Sequence, residues 1–208
     1  MKYESIILDV DGTLWDSRSV LAGAYNAQLT AEGYEPYVTA ELLKPHFGKT
    51  MTALADGVFP QIPAPERYAL MDRCILQMDR FLEEKAGPEI GYPGLRTTLE
   101  ALKQNHRLFI VSNGQKGYGQ MAAKKLGLSD LMDGYLCFGD TGTSKGQTIR
   151  TLMEQHNIQS AVYVGDTQGD LEASREAGID FIFAAYGFGQ PESWEAKIEM
   201  FEELKEIV

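Results

Sequence analysis

Two acids one residue apart, Asp9 and Asp11, end the apolar run Ile6-Ile7-Leu8 and are followed by Gly12-Thr13-Leu14. The run is too short for a helix and reads as a buried strand. Strand side chains alternate sides. A chain that turns at Gly12 can nevertheless aim both acids at one pocket on the sheet's carboxyl edge, where open α/β sheets bind ligands. A carboxylate nucleophile beside a second carboxyl that moves a proton is a usable catalytic pair. The same residues also suit an ordinary acidic turn after a strand, so the rest of the chain must decide.

Gly165-Asp166-Thr167-Gln168-Gly169-Asp170 is more specific. Two acids four residues apart, after an apolar run and at a helix start, project toward one spot. Helix starts favour acids for dipole reasons, which accounts for Asp170 without any function. Asp166 is harder to explain that way. A hard divalent cation such as Mg²⁺ would neutralise it through oxygen ligands. Lys145 opens a helix, where its charge opposes the macrodipole. That is a small pointer to function against the alternative of a solvated lysine. In Ser112-Asn113-Gly114 a hydroxyl and backbone amides suit a phosphate oxygen, and the same triplet is also a common turn. His46, His106 and His156 fit no triad or zinc spacing. Gly117-Tyr118-Gly119 lacks the third glycine and acidic follower of a dinucleotide fingerprint. Cys74 and Cys137 fit no metal spacing and read as buried free thiols.

These residues need elements to hold them. Runs at Arg107–Val111, Ala161–Val164 and Ile179–Ala184 read as further strands, each ending in polar residues or a glycine-rich turn. Helical spacings lie between them, at Leu95, Leu99 and Leu102, at Met121, Ala122 and Leu126, at Ile149, Leu152 and Met153, and at Leu171 and Ser174. This alternation predicts an α/β fold with a Rossmann-like parallel sheet covered by helices on both faces. Residues from about 17 to 87 break the rhythm. Leu21, Ala24, Tyr25 and Gln28 form one helical stripe, and Met71, Cys74, Ile75, Met78, Phe81 and Leu82 a stronger one. Thr39 could cap a short helix holding Leu42, Leu43 and Phe47. The expected organisation is a core of residues 1–16 and 88–208 with an inserted helical domain over 17–87.

The 208 residues carry a formal charge of −11 with no basic tract, which disfavours nucleic-acid and anionic-membrane partners. Net acidity still permits a small anionic substrate, because a metal and a few lysines can reverse the field locally. The apolar runs fall short of a membrane span. The first residues, Met1-Lys2-Tyr3-Glu4-Ser5, carry no signal-like segment, so a cytoplasmic location is expected. Oligomeric state is not readable from the sequence.

Taken in order, Asp9-Val10-Asp11-Gly12-Thr13, Ser112-Asn113, Lys145 and Gly165-Asp166 with Asp170 resemble the four motifs of the haloacid dehalogenase superfamily. The insert resembles that family's α-helical cap. Tyr92-Pro93-Gly94 and Tyr186-Gly187-Phe188-Gly189 resemble its phosphoglycolate-phosphatase-like branch. The resemblance implies a phosphatase acting on a small phosphorylated metabolite. Asp9 would attack phosphorus and form an aspartyl-phosphate. Asp11 would protonate the leaving oxygen and later deprotonate water. Mg²⁺ would bind Asp9, the Asp11 carbonyl and Asp166, with Asp170 acting through water. Ser112, Asn113, Gly114 and Lys145 would hold the phosphate oxygens. A closing cap would exclude water, and Lys49, in Gly48-Lys49-Thr50, or Arg18 would contact an anionic substrate.

Departures from the family pattern narrow this. Asp11 stands where dehalogenases lack an acid and phosphonate-cleaving members carry alanine. Sugar phosphomutases of this build place a histidine twelve residues after the nucleophile, where this chain has Leu21. Gly146 replaces the proline that follows the lysine in many relatives. The rival expectations are a phosphomutase of the same fold and a non-catalytic phosphometabolite-binding protein.

Overall fold

A computed structural model describes residues 2–47 and 51–208. The chain divides into two compact units, residues 1–16 with 87–208, and residues 17–86.

In the first unit, among the described residues, six parallel strands form one sheet. They are β1 (Ser5–Leu8), β2 (Arg107–Ser112), β3 (Gly134–Cys137), β4 (Ala161–Gly165), β5 (Asp180–Ala184) and β6 (Ala196–Ile198), in spatial order β3-β2-β1-β4-β5-β6. The sequence reading anticipated four of them. The other two are the edges: β3 is half-buried Gly-Tyr-Leu closed by Cys137, and β6 is three residues long. Neither carries the continuous apolar run that burial on both faces demands of an interior parallel strand. β1 runs centrally, with Ile7 registered on Phe109 of β2 and Tyr163 of β4. Ile7, Phe109, Tyr163 and Phe181 share one face and pack with Ile149 and Leu152 of α8 (Lys145–Gln155) and Leu171 of α9 (Gln168–Ala177). Ile110 turns to the opposite face, where Gly119 of α6 (Tyr118–Lys125) lies against it. The remaining helices of this unit are α5 (Leu95–Leu102), α7 (Phe138–Thr141) and α10 (Leu204–Ile207).

The second unit comprises α1 (Arg18–Ala31), α2 (Ala40–Leu43), α3 (Met51–Val58) and α4 (Ala64–Lys85). α1 and α4 pack together, with Leu21, Tyr25 and Leu29 from one and Leu70, Met71, Cys74 and Leu82 from the other all buried. Thr39 caps α2 by accepting the Leu42 amide at 3.2 Å. Phe47 falls outside that helix, contrary to expectation. Pro45 lacks an amide donor, so a short 3₁₀ turn at Lys44–His46 replaces the helix and leaves Phe47 extended. Both cysteines are free and buried. Among the described residues no helix is long and apolar enough to cross a membrane.

Candidate active site

The chain reverses its direction of travel at β1: β2 and β3 add on one side, β4 to β6 on the other. The crevice at such a switch point is the usual ligand site of an open α/β sheet. Asp9 lies one residue beyond β1, and its amide donates to the Val164 carbonyl of β4 at 2.9 Å. That bond sets Asp9 beside the end of β4, where Asp166 follows Gly165. Lys145, the first residue of α8, brings its ammonium to Asp9 Oδ1 at 3.0 Å and to Asp170 Oδ1 at 2.6 Å. All four side chains are nearly withdrawn from solvent. Carboxylate oxygens of Asp9, Asp166 and Asp170 lie within 4.8 Å of one another.

Each acid is held differently. Asp170 closes a capping box at the start of α9. Its Oδ2 accepts from the Asp166 and Thr167 amides and the Thr167 hydroxyl, while Oδ1 takes Lys145. Asp166 Oδ2 accepts from the Phe188 amide at 2.6 Å and the Gly189 amide at 3.3 Å. Its Oδ1 is buried with no hydrogen-bond partner. The backbone closes tightly around it. Gly12 has φ +82°, and a side chain there would overlap the Asp166 carboxylate; one at Gly187 would come 2.5 Å from the Gly12 carbonyl oxygen.

The electrostatics follow from burial. Desolvation pushes the Asp9 carboxyl up to about 7 against the opposing pull of the Lys145 ammonium, and the charges of Asp170 and Asp11 add to the rise. Burial raises Asp166 well above the usual carboxylate range too, reinforced by the charges of Asp170 and Asp9. For Lys145 burial acts downward, but Asp170 and Asp9 outweigh it and hold the ammonium well above its ordinary value. Three buried carboxyls facing one ammonium leave an excess of negative charge when all are ionised. A divalent cation would bring the group to neutrality, and the unpartnered Asp166 oxygen is a hard donor suited to one. The residues present fit such an ion.

Asp11 accepts from the Trp15 indole N–H at 2.9 Å and from the Tyr118 hydroxyl, which lies 2.9 Å from both carboxylate oxygens. The sequence reading singled out neither donor. A buried tryptophan must place its N–H on an acceptor, and Trp15 lies one helical turn's worth of sequence from Asp11. Tyr118 sits within a glycine pair that fits no nucleotide motif. Ser112 ends β2 and its buried hydroxyl accepts from the Gly114 amide at 3.2 Å; Asn113 is exposed and Gly114 half-buried. Thus Asp9, Asp166, Asp170 and Lys145 meet directly, while Ser112, Asn113 and Gly114 stand on the neighbouring strand end. The Tyr186-Gly187-Phe188-Gly189 segment supplies the Asp166 amides, and the Tyr186 hydroxyl donates to the Thr13 carbonyl at 2.9 Å. In the second unit, Arg18 is mostly buried with Glu41 at 3.7 Å. Lys49 lies outside the described residues. His106 is buried, its Nδ1 2.9 Å from the Tyr3 carbonyl, a packing role.

A parallel sheet that gathers acids and one lysine at its switch point defines a class of α/β protein equipped to bring a carboxylate and a cation to one anion. Residues 6–184 match the model of the haloacid dehalogenase-like hydrolases, and the chain belongs to that family. It is 32% identical over 188 residues to a phosphoglycolate phosphatase of Aquifex aeolicus, covering 88% of this chain and 85% of that one. It is 28% identical over 204 residues to a phosphoglycolate phosphatase of Xanthomonas campestris, covering 93% and 90%. The crystal structure of a predicted phosphoglycolate phosphatase from Haemophilus somnus matches with a TM-score of 0.84 at 21% identity, covering 100% of this chain and 98% of that one. At that identity the likeness speaks for the fold.

Proposed function

We propose that this hydrolase is a Mg²⁺-dependent phosphatase that cleaves a small phosphomonoester through an aspartyl-phosphate on Asp9. The observation that carries the reading is the buried Asp9 carboxylate held 3.0 Å from Lys145 beside the unsatisfied oxygen of Asp166. A surface acid has no need of that setting; a nucleophile that must approach a phosphate does. Asp9 Oδ forms a bond to phosphorus as the ester P–O bond breaks. Asp11 gives its proton to the departing alcohol oxygen. It then takes a proton from the water that cleaves the acyl phosphate and restores the Asp9 carboxylate. Lys145, Ser112 and the Asn113 and Gly114 amides neutralise the equatorial oxygens. Asp9, Asp166 and the Asp11 carbonyl would hold Mg²⁺, with Asp170 acting through water because its own oxygens are engaged by Lys145 and the Thr167 turn. The ion, when bound, offsets phosphate charge.

The phosphoglycolate phosphatases among the relatives suggest a small phosphorylated acid as substrate, with residues 17–87 acting as the cap that reads it through Lys49 or Arg18. A phosphomutase would need a titratable side chain where α1 carries Leu21, which is apolar and 5% exposed. A pure binding protein would need no nucleophile beside a proton carrier. The test is Asp9→Asn: turnover of p-nitrophenyl phosphate should vanish while the circular dichroism spectrum stays unchanged. Undiminished turnover would remove Asp9 as nucleophile. Assay of a phosphometabolite panel that includes phosphoglycolate then fixes the substrate.

A further inference from the structure

Trp15 and Tyr118 come from distant parts of the chain to one carboxylate. Trp15 lies in the turn after β1, fully buried; Tyr118 opens α6 and is 8% exposed. Their rings pack edge to face, 6.0 Å between centroids at 76°. The indole N–H and the phenol O–H both end on Asp11, at 2.9 Å. Neither ring can swing away without opening the other's packing. Tyr118 is fixed from a further direction too: any side chain at Gly114 would come 2.5 Å from Tyr118 Cγ, so the loop Ser112-Asn113-Gly114 lies directly on the ring. The phosphate loop and the Asp11 carboxylate are therefore joined through a single tyrosine.

We infer that Trp15 and Tyr118 are positioning residues that fix the Asp11 carboxyl for proton transfer to the leaving oxygen. This rests on the role proposed above for Asp11. A general acid must sit within hydrogen-bond reach of the atom it protonates, and small displacements of a reacting group are costly. An aspartate side chain with free torsions spends little time in any one pose. Two donors on rigid, interlocked rings remove that freedom, and contact with Gly114 ties the pose to the loop that meets the phosphate.

A leaving-group series tests this. p-Nitrophenolate departs without a proton, whereas phenolate benefits from one. In kcat/KM, which reports the phosphoryl-transfer step, Tyr118→Phe should lose about tenfold on phenyl phosphate. It should stay within about twofold of wild type on p-nitrophenyl phosphate. Trp15→Phe, which keeps a ring against Tyr118 but removes the N–H, is the second variant, and thermal melting establishes that each is folded. Selective loss in either folded variant supports the inference; an even loss, or none, in both overturns it. Asp11→Asn separates the two levels of the argument. If it is selective while Tyr118→Phe and Trp15→Phe are not, only the positioning role falls. If Asp11→Asn is itself unselective, the proton-transfer role of Asp11 falls and the positioning role with it.

Discussion

Lys145 is the residue on which the charge balance of the site turns. Alone at the start of α8 it opposes the helix dipole, an unfavourable placement of a few tenths of a kcal/mol. Two buried carboxylates at 2.6 and 3.0 Å offset that many times over. A buried ion pair is a poor source of net stability, yet removing one partner is expensive because the other charge stays desolvated. Lys145→Met, with no divalent ion added, should therefore lower unfolding stability by about 3 kcal/mol in urea titration. A loss below 1 kcal/mol would mean that Asp9 and Asp170 relax into water or protonate at little cost. The same variant should lose nearly all turnover, since no ammonium then faces the phosphate oxygens.

At the scale of elements, the loop after β5 matters as much as the strands. Gly187 lets that loop reach Asp166 and donate the Phe188 and Gly189 amides. Gly187→Ala would press on the Asp166 side chain and the Gly12 carbonyl together, a backbone obstacle that no rotamer relieves. A cost of about 2 kcal/mol in unfolding free energy is expected from such overpacking, with a loss of turnover larger than the loss of stability implies. Wild-type activity in this variant would show that the loop can retreat without disturbing Asp166. α4 gives a second prediction. Burial of its inner face pushes the Cys74 thiol up to about 12, and Cys137 is raised as well. A disulfide reagent at pH 8 should modify neither cysteine in the native protein and both after denaturation; fast labelling of the native state would contradict the burial. The interior strands were legible because burial on both faces demands unbroken apolar runs such as Ile6-Ile7-Leu8. The edges β3 and β6 carry no such demand and left no pattern. The acids and Lys145 stood out as short polar interruptions at strand and helix ends. Tyr118 did not, because it and Asp11 are 107 residues apart in sequence and only the strand order brings them together. Backbone donors such as the Phe188 amide leave no side-chain signature at all.

For the whole molecule the question is what offsets its charge. Most of the formal charge of −11 is spread over the surface, where water and salt screen it. The part that water cannot screen is the buried group of Asp9, Asp166 and Asp170 against one lysine. An ion that binds the folded site and not the unfolded chain stabilises the protein by mass action, about 2.7 kcal/mol at a concentration one hundred times its Kd. Mg²⁺ titrated into chelator-treated protein should therefore raise the melting temperature in a saturable way. Na⁺ at equal ionic strength should not, because it contributes only screening. Asp166→Asn should abolish the Mg²⁺ increment, since it replaces the carboxylate whose Oδ1 has no other partner. In EDTA, turnover of p-nitrophenyl phosphate should cease and return with added Mg²⁺. A melting temperature indifferent to Mg²⁺, together with turnover that survives EDTA, would mean that Lys145 and protonation of the acids alone neutralise the site, and the metal assignment would be withdrawn.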